Sequence, residues 1–236
     1  NLANMGVYLF KREVLDKALW EDHFRKRSAH DFGKDIIPRL LKSKARIFAF
    51  PYTGYWMDVG TVASYWQAHM DLLSPSPPLK LYDRNWIIHT RTEERAPARL
   101  PGTAKIFASM LCDGCFIEEG ATVESSVLAP GAIVRAGAIV RESILGVDSV
   151  VESGAVVERA VLDKRSTVRH GARVGWGVKD QNIQIALVGK NSEVPAGFTI
   201  EPTAEVGTDV IASDYDDKTI LRAGETIKTR RLANEI

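Results

Sequence analysis

Three stretches of this 236-residue sequence carry side chains whose types and spacing could do chemistry. In GYWMDVGT (54–61), Asp58 stands between a strand-like run and a glycine-led helix start. That places it at the C-terminal edge of a sheet, where open α/β folds bind ligands. A carboxylate there can hold Mg²⁺ against phosphate oxygens, because Mg²⁺ takes one or two carboxylates and completes its shell with water and substrate. The plainer alternative makes Asp58 a turn or helix-start residue that stabilises exposed N–H groups. In SAHDFGKDIIP (28–38), His30, Asp31, Lys34 and Asp35 would suit a general base or a phosphate-binding lysine. Its alternative is a capped helix start with Asp31 or Asp35 as N-cap. Lys164, Arg165, Arg169 and His170 form an exposed basic edge, which is either an anion site or a solvated side.

The elements that must position these groups alternate in type. Residues 5–10 (MGVYLF) read as a buried strand, 46–50 as a second and 55–59 as a third. Val14, Leu15, Ala18 and Leu19 fall on one helical face. Residues 35–41 read as a helix, provided Pro38 lies in its first turn. Residues 61–73 form a further helix with Val62, Tyr65, Trp66, His69, Met70 and Leu73 on one side. Strands alternating with helices argue for the closing part of an α/β domain over 1–75. The proline-rich SPSPP (74–78) ends the last helix, and 76–105 reads as an extended crossover.

From Ser109 the chain repeats every seventeen residues without a gap. Leu111, Leu128, Leu145 and Leu162 make one column; Ile117, Val134, Val151 and Val168 a second; Val123, Val140, Val157 and Val174 a third. A small residue lies two positions before each, and Gly120, Gly137, Gly154 and Gly171 form a glycine column. Neither a helical period nor strict alternation yields that spacing. A β-solenoid does, with three short strands per coil and corners that need positive φ. The register breaks at 175–184 and resumes with Val188, Val194, Ile200 and Val206, so 106–236 is expected to be a β-helix. Ile220, Leu221 and Ile227 offer a last strand pair or a cap.

Thirty-one basic against 30 acidic residues, a net charge of +1, give no reason to expect nucleic acid or an anionic membrane as partner. No apolar run approaches the roughly 20 residues of a membrane span. The first residues lack the features of a signal peptide. With no initiator Met and a strand-like run at once, the chain is expected to begin inside a domain. Cys112 and Cys115 have the spacing of half a zinc site, but neither another Cys nor a nearby His supplies the missing ligands. They are expected to be reduced thiols, with Cys115 in a small-residue column, in a cytoplasmic protein.

Taken in order, ANMGVYLF, HDFGKDIIP, GYWMDVGTVASYWQAHMDLL, LYDRNWIIHT and the hexapeptide-type repeats resemble bacterial glucose-1-phosphate adenylyltransferases (ADP-glucose pyrophosphorylases). The resemblance covers essentially the whole chain. It implies the closing part of a Rossmann-like nucleotidyltransferase domain followed by a left-handed parallel β-helix. It implies the reaction of ATP with glucose 1-phosphate to give ADP-glucose and pyrophosphate in glycogen synthesis. Asp58 would be a Mg²⁺ ligand near the sugar phosphate, Tyr55 and Trp56 would wall the sugar pocket, and Asn4 stands where the family usually has Ser. The family's glycine-rich nucleotide loop, second metal-binding Asp and phosphate-binding Lys would precede Asn1, so the chain alone is expected to be inactive. Family enzymes are usually homotetramers regulated by small metabolites, which gives Lys164, Arg165, Arg169 and His170 a role as effector contacts. The rivals are a non-catalytic regulatory or assembly subunit, a GDP-mannose-type enzyme, and a β-helix acyltransferase. For the last, the solenoid supplies only His170.

Overall fold

The computed structural model describes residues 3–90, 93–176 and 183–232. The chain packs as two compact units, Asn1–Trp56 and Met57–Ile236.

In the first unit, α1 (Arg12–His23) carries Glu13 in its first turn and His23 in its last, both favourable to the helix dipole. Its inward face buries Ala18 and, one turn on, Asp22. A single π-turn (Phe32–Ile36) runs into α2 (Ile37–Lys42), and Pro38 sits in the first turn of α2, where no intrahelical N–H is needed. The strands expected at 5–10 and 46–50 do not form ladders. Val7 and Leu9 are 80% and 102% exposed, Phe48 and Phe50 86% and 87%. The apolar pattern is there, but a strand exists only with a partner, and no ladder forms among the described residues of this unit. Residues 5–10 are held instead by rings: Tyr8 stacks on Phe32 at 5.6 Å and lies edge-on to Phe10 at 6.4 Å.

The second unit opens with α3 (Val62–Leu72). Residues 55–59, expected as a third strand, form no ladder among the described residues. Thr61 caps α3 reciprocally: its Oγ1 accepts from the Ser64 N–H, and the Ser64 hydroxyl accepts from the Thr61 N–H, each at 3.1 Å. The solenoid follows. Its strands are β1 (Lys105–Phe107), β2 (Met110–Leu111), β3 (Phe116–Ile117), β4 (Thr122–Glu124), β5 (Val127–Leu128), β6 (Ile133–Val134) and β7 (Ile139–Arg141). Then come β8 (Ile144–Leu145), β9 (Val150–Val151), β10 (Val156–Glu158), β11 (Ala160–Leu162), β12 (Thr167–Val168) and β13 (Arg173–Val174). The last are β14 (Ala186–Val188), β15 (Glu193–Val194), β16 (Thr199–Ile200), β17 (Glu205–Val206), β18 (Ile220–Leu221) and β19 (Thr226–Ile227).

Through β17 every third strand pairs in parallel, and β18 and β19 then add to β16 and β17, giving two seven-stranded sheets and one five-stranded sheet. The pairing register is that of the columns: Leu111 faces Leu128, Ile117 faces Val134, and Val140 faces Val157. Leu128, Leu145, Val134, Val151, Val140 and Val157 are fully buried, so the three columns are the core. The solenoid begins before the first regular row. Arg99 bridges Phe116, and Ala98, Ala104 and Ile106 pack against the core. Much of the loop break at 175–184 lies outside the described residues.

The small-residue column has its own bonding. Ser126 and Ser143 are fully buried, and each hydroxyl donates to the carbonyl two residues back (Glu124 at 2.7 Å, Arg141 at 2.6 Å). Each also accepts the N–H one coil on, from Ser143 at 3.1 Å and Ala160 at 3.2 Å. The ladder satisfies corner groups that would otherwise be buried without partners. The glycine column adopts positive φ at Gly120, Gly137 and Gly154 (68° each) and Gly171 (66°). A second corner does the same without glycine: Ala108, Ser125, Glu142 and Arg159 have φ of 45°, 46°, 46° and 43°.

Candidate functional site

Asp58 lies three residues before the cap of α3, on the exposed run into the helix. The cap is Thr61, so the helix-start role open to Asp58 is filled by another residue. Its carboxyl oxygens lie 3.4 and 3.5 Å from where a Cβ on Gly60 would stand, so the carboxylate folds against the glycine at the helix entrance. It makes no hydrogen bond or ion pair among the described residues. An exposed, uncommitted carboxylate fits one position of a Mg²⁺ shell. No group of three or more His, Cys, Asp or Glu among the described residues would enclose a metal by itself. Such an ion would take its other ligands from water and substrate phosphates.

The other residues expected at the site, Asn4, Tyr55 and Trp56, belong to the first unit. The Asn4 amide donates to the Tyr8 hydroxyl at 2.8 Å, and its oxygen accepts from the Gly6 N–H at 2.9 Å. Tyr55 is half-buried and Trp56 exposed, and the Tyr52 hydroxyl reaches the Tyr55 carbonyl at 3.4 Å.

SAHDFGKDIIP takes its capping role. The Asp31 carboxylate accepts from the Lys34 N–H at 2.7 Å, while Asp35 accepts from the N–H groups of Ala29 and Asp31 at 3.2 and 3.3 Å. This knot is organised around a residue that the sequence reading missed, Asp22. Nearly fully buried, it accepts from the Ser28 hydroxyl and His30 Nδ1, each at 2.7 Å, and pairs with Arg39. The signal available was its position four residues after Ala18, on the inward face of α1. The Ser28 hydrogen bond, joined by His30 and Arg39 and opposed by burial, holds its carboxyl below the usual carboxylate range. A depressed folded pKa stabilises the fold above the unfolded value of about 3.9, and that contribution is lost as pH falls through the folded pKa. Amide exchange over 28–39 should therefore accelerate as pH drops below about 4 after correction for intrinsic rates, and Asp22→Asn should remove that step. The same pH profile in wild type and Asp22→Asn would refute the linkage. Around this knot an open cavity of about 450 Å³ is lined by Asp16, Leu19, Trp20, Asp22, His23, His30 and Ile36.

The four basic residues lie on two successive corners. Lys164 and Arg165 occupy the corner between β11 and β12, whereas Arg169 and His170 occupy the next, between β12 and β13. Arg169 is bonded to Glu152 and Glu193 at 2.7 Å each, and Arg165 to the Asn191 side-chain oxygen at 2.8 Å. Cys115 is buried in the small-residue column, and burial raises both the Cys112 and Cys115 thiols, which disfavours thiolate ligation.

Comparison with known proteins defines the class first. Residues 1–75 match the Nucleotidyl transferase family and residues 97–186 the GlmU-like, C-terminal hexapeptide family. This is a nucleotidyltransferase-type segment joined to a hexapeptide-repeat parallel β-helix. A glucose-1-phosphate adenylyltransferase of Thermomicrobium roseum is 45% identical over 236 aligned positions, which cover 96% of this chain and 54% of that relative. Enzymes of the same name from Bacillus licheniformis (48% identity, 52% of this chain, 32% of the relative) and Thermotoga maritima (47%, 48% and 27%) match shorter spans. The chain is similar over nearly its whole length to a glucose-1-phosphate adenylyltransferase. It spans about half the length of the Thermomicrobium relative.

Proposed function

We propose that this chain forms the sugar-phosphate side and the β-helix of a glucose-1-phosphate adenylyltransferase. The observation that carries the reading is similarity over 96% of the chain to a protein of that name. The exposed, uncommitted Asp58 at the entrance to α3 supplies the chemistry. In the reaction, a phosphate oxygen of glucose 1-phosphate attacks the α-phosphorus of ATP. The bond to pyrophosphate breaks, leaving ADP-glucose. Asp58 would hold a Mg²⁺ ion, which would offset charge developing on the phosphate oxygens. Asn4 offers its amide to a sugar hydroxyl, at the expense of its bonds to Tyr8 and Gly6, and Tyr55 and Trp56 wall the sugar. Residues 1–75 supply this site, 76–105 cross over, and the β-helix of 106–236 serves a cytoplasmic homotetramer in glycogen synthesis. Lys164 and Arg165 are the better placed effector contacts, since Arg169 is engaged by two carboxylates and His170 stands on the same corner as Arg169.

Activity requires the remainder of the relatives' length, which carries the nucleotide side. The 236 residues expressed alone should form no ADP-glucose from ATP and glucose 1-phosphate, and the longer enzyme that contains them should. Turnover by the chain alone would refute the shared-site reading. A longer enzyme that folds but stays inactive would favour a regulatory subunit, and a preference for GTP with mannose 1-phosphate would favour the GDP-mannose type. Alanine at Lys164 and Arg165 should blunt the response to phosphorylated metabolites; an unaltered response would remove the effector role.

A further inference from the structure

Asp58 and the β-helix belong to the same compact unit, and a contact from α3 reaches the solenoid. The Trp66 indole Nε1–H donates to the main-chain carbonyl of Glu142 at 2.6 Å, across 76 residues of sequence. Glu142 stands at the glycine-free corner, with φ of 46°. The coil-to-coil ladder there uses the Glu142 N–H, given to the Glu124 carbonyl at 3.0 Å, and the Arg159 N–H, given to the Arg141 carbonyl at 3.1 Å. It thus steps past the carbonyl of Glu142, which takes the indole instead. The corner is also braced by its side chain, since the Glu142 carboxylate accepts from Arg159 Nε. Trp66 therefore bonds to a part of the solenoid that is fixed on two sides.

From Trp66 back to the cap is five residues, about 7.5 Å along a helix rising 1.5 Å per residue. The Thr61–Ser64 box makes that turn rigid, and the Asp58 carboxylate packs against Gly60 just outside it. A helix of 11 residues held at its middle and capped at its start moves as a rod. The residue before Trp66 also senses the solenoid: burial together with the charge of Asp163 raises the Tyr65 phenol.

We propose that Trp66 is a positioning residue, whose indole bond to the Glu142 carbonyl seats α3 on the β-helix and thereby sets where Asp58 stands. The solenoid then holds one group of the reaction centre in place, as well as joining subunits. This rests on the reading of Asp58 as a metal ligand. The conservative variant is Trp66→Phe, which keeps an aromatic ring and removes only the donor and part of the indole.

In the 236-residue chain, Trp66→Phe should speed amide exchange across 57–64 about tenfold, with the buried strands β8 and β11 unchanged. Unchanged exchange over 57–64 would overturn the seating. In the longer enzyme, Trp66→Phe should lower kcat about tenfold with KM for ATP unaltered. In an Asp58→Asn background it should cost less than a further twofold, because its effect runs through that carboxylate. A full additional tenfold loss in that background would overturn the link to Asp58. Asp58→Asn with normal kinetics would sink the metal-ligand reading by itself, and the exchange result would still decide whether Trp66 seats the segment.

Discussion

Asp58→Asn in the longer enzyme is expected to lower kcat for ADP-glucose synthesis by about 10²–10³-fold, the usual cost of losing one group that stabilises transition-state charge. The substitution keeps size and removes charge, so it acts on the ion and not on packing. The residue is exposed, and its carboxylate takes no part in the Thr61–Ser64 cap. The helix should therefore survive, and thermal unfolding should be unchanged. Raising Mg²⁺ should recover part of the rate if the remaining shell is intact. Steady-state kinetics across a Mg²⁺ series check this, and wild-type kcat would remove Asp58 from the metal site.

Leu145→Ala should be the most damaging conservative change in the β-helix. Leu145 is fully buried on β8, an inner strand of a seven-strand sheet, with Leu128 on β5 before it and Leu162 on β11 after it. Truncating a buried leucine costs about 2–5 kcal/mol, more where the site cannot collapse around the gap. Here the surrounding backbone is pinned by ladders on both sides, so about 3 kcal/mol is expected, a fall of roughly 6–12 °C in Tm for a unit of this size. Because coils touch only their neighbours, the gap should weaken the stack on both sides of it. Calorimetry on the chain decides the matter: a drop under about 1 kcal/mol would mean that the column is not the core that holds the coils together.

The β-helix was legible because its side-chain period is independent of anything distant. Leu128, Val134 and Val140 point inward for the same local reason as their counterparts seventeen residues on. Its corners were legible only in part. The glycine column announces positive φ, whereas Glu142 and Arg159 adopt it through coil-to-coil N–H bonds that leave no mark on residue type. The three helices could be read from apolar spacing and their start signals; Asp31 and Thr61 cap as their residue types suggest. Residues 5–10, 46–50 and 55–59 have strand-like composition, but composition cannot say whether a second strand lies alongside, and these spans join no ladder among the described residues. Asp58 was visible as a carboxylate at a helix entrance. The Trp66–Glu142 bond was not, because nothing local links residues 76 positions apart.

The end of the solenoid has a consequence for what the chain does not become. Two sheets continue to β18 and β19, while the third stops at β15, where the Glu193 N–H bonds to the Val210 carbonyl at 2.9 Å. There a 3₁₀ turn (Ala212–Tyr215) closes that side, with Tyr215 buried against Phe198 at 4.8 Å and Asp214 accepting from the N–H groups of Ile211 and Arg230. A stack of parallel coils is a template for more of itself, with rungs at the spacing of a cross-β fibre, about 4.7–4.8 Å. Tyr215 and its turn act as a stopper: they put a bulky, already bonded segment where the next rung would begin. On this side the stack therefore presents a closed turn and not an open rung.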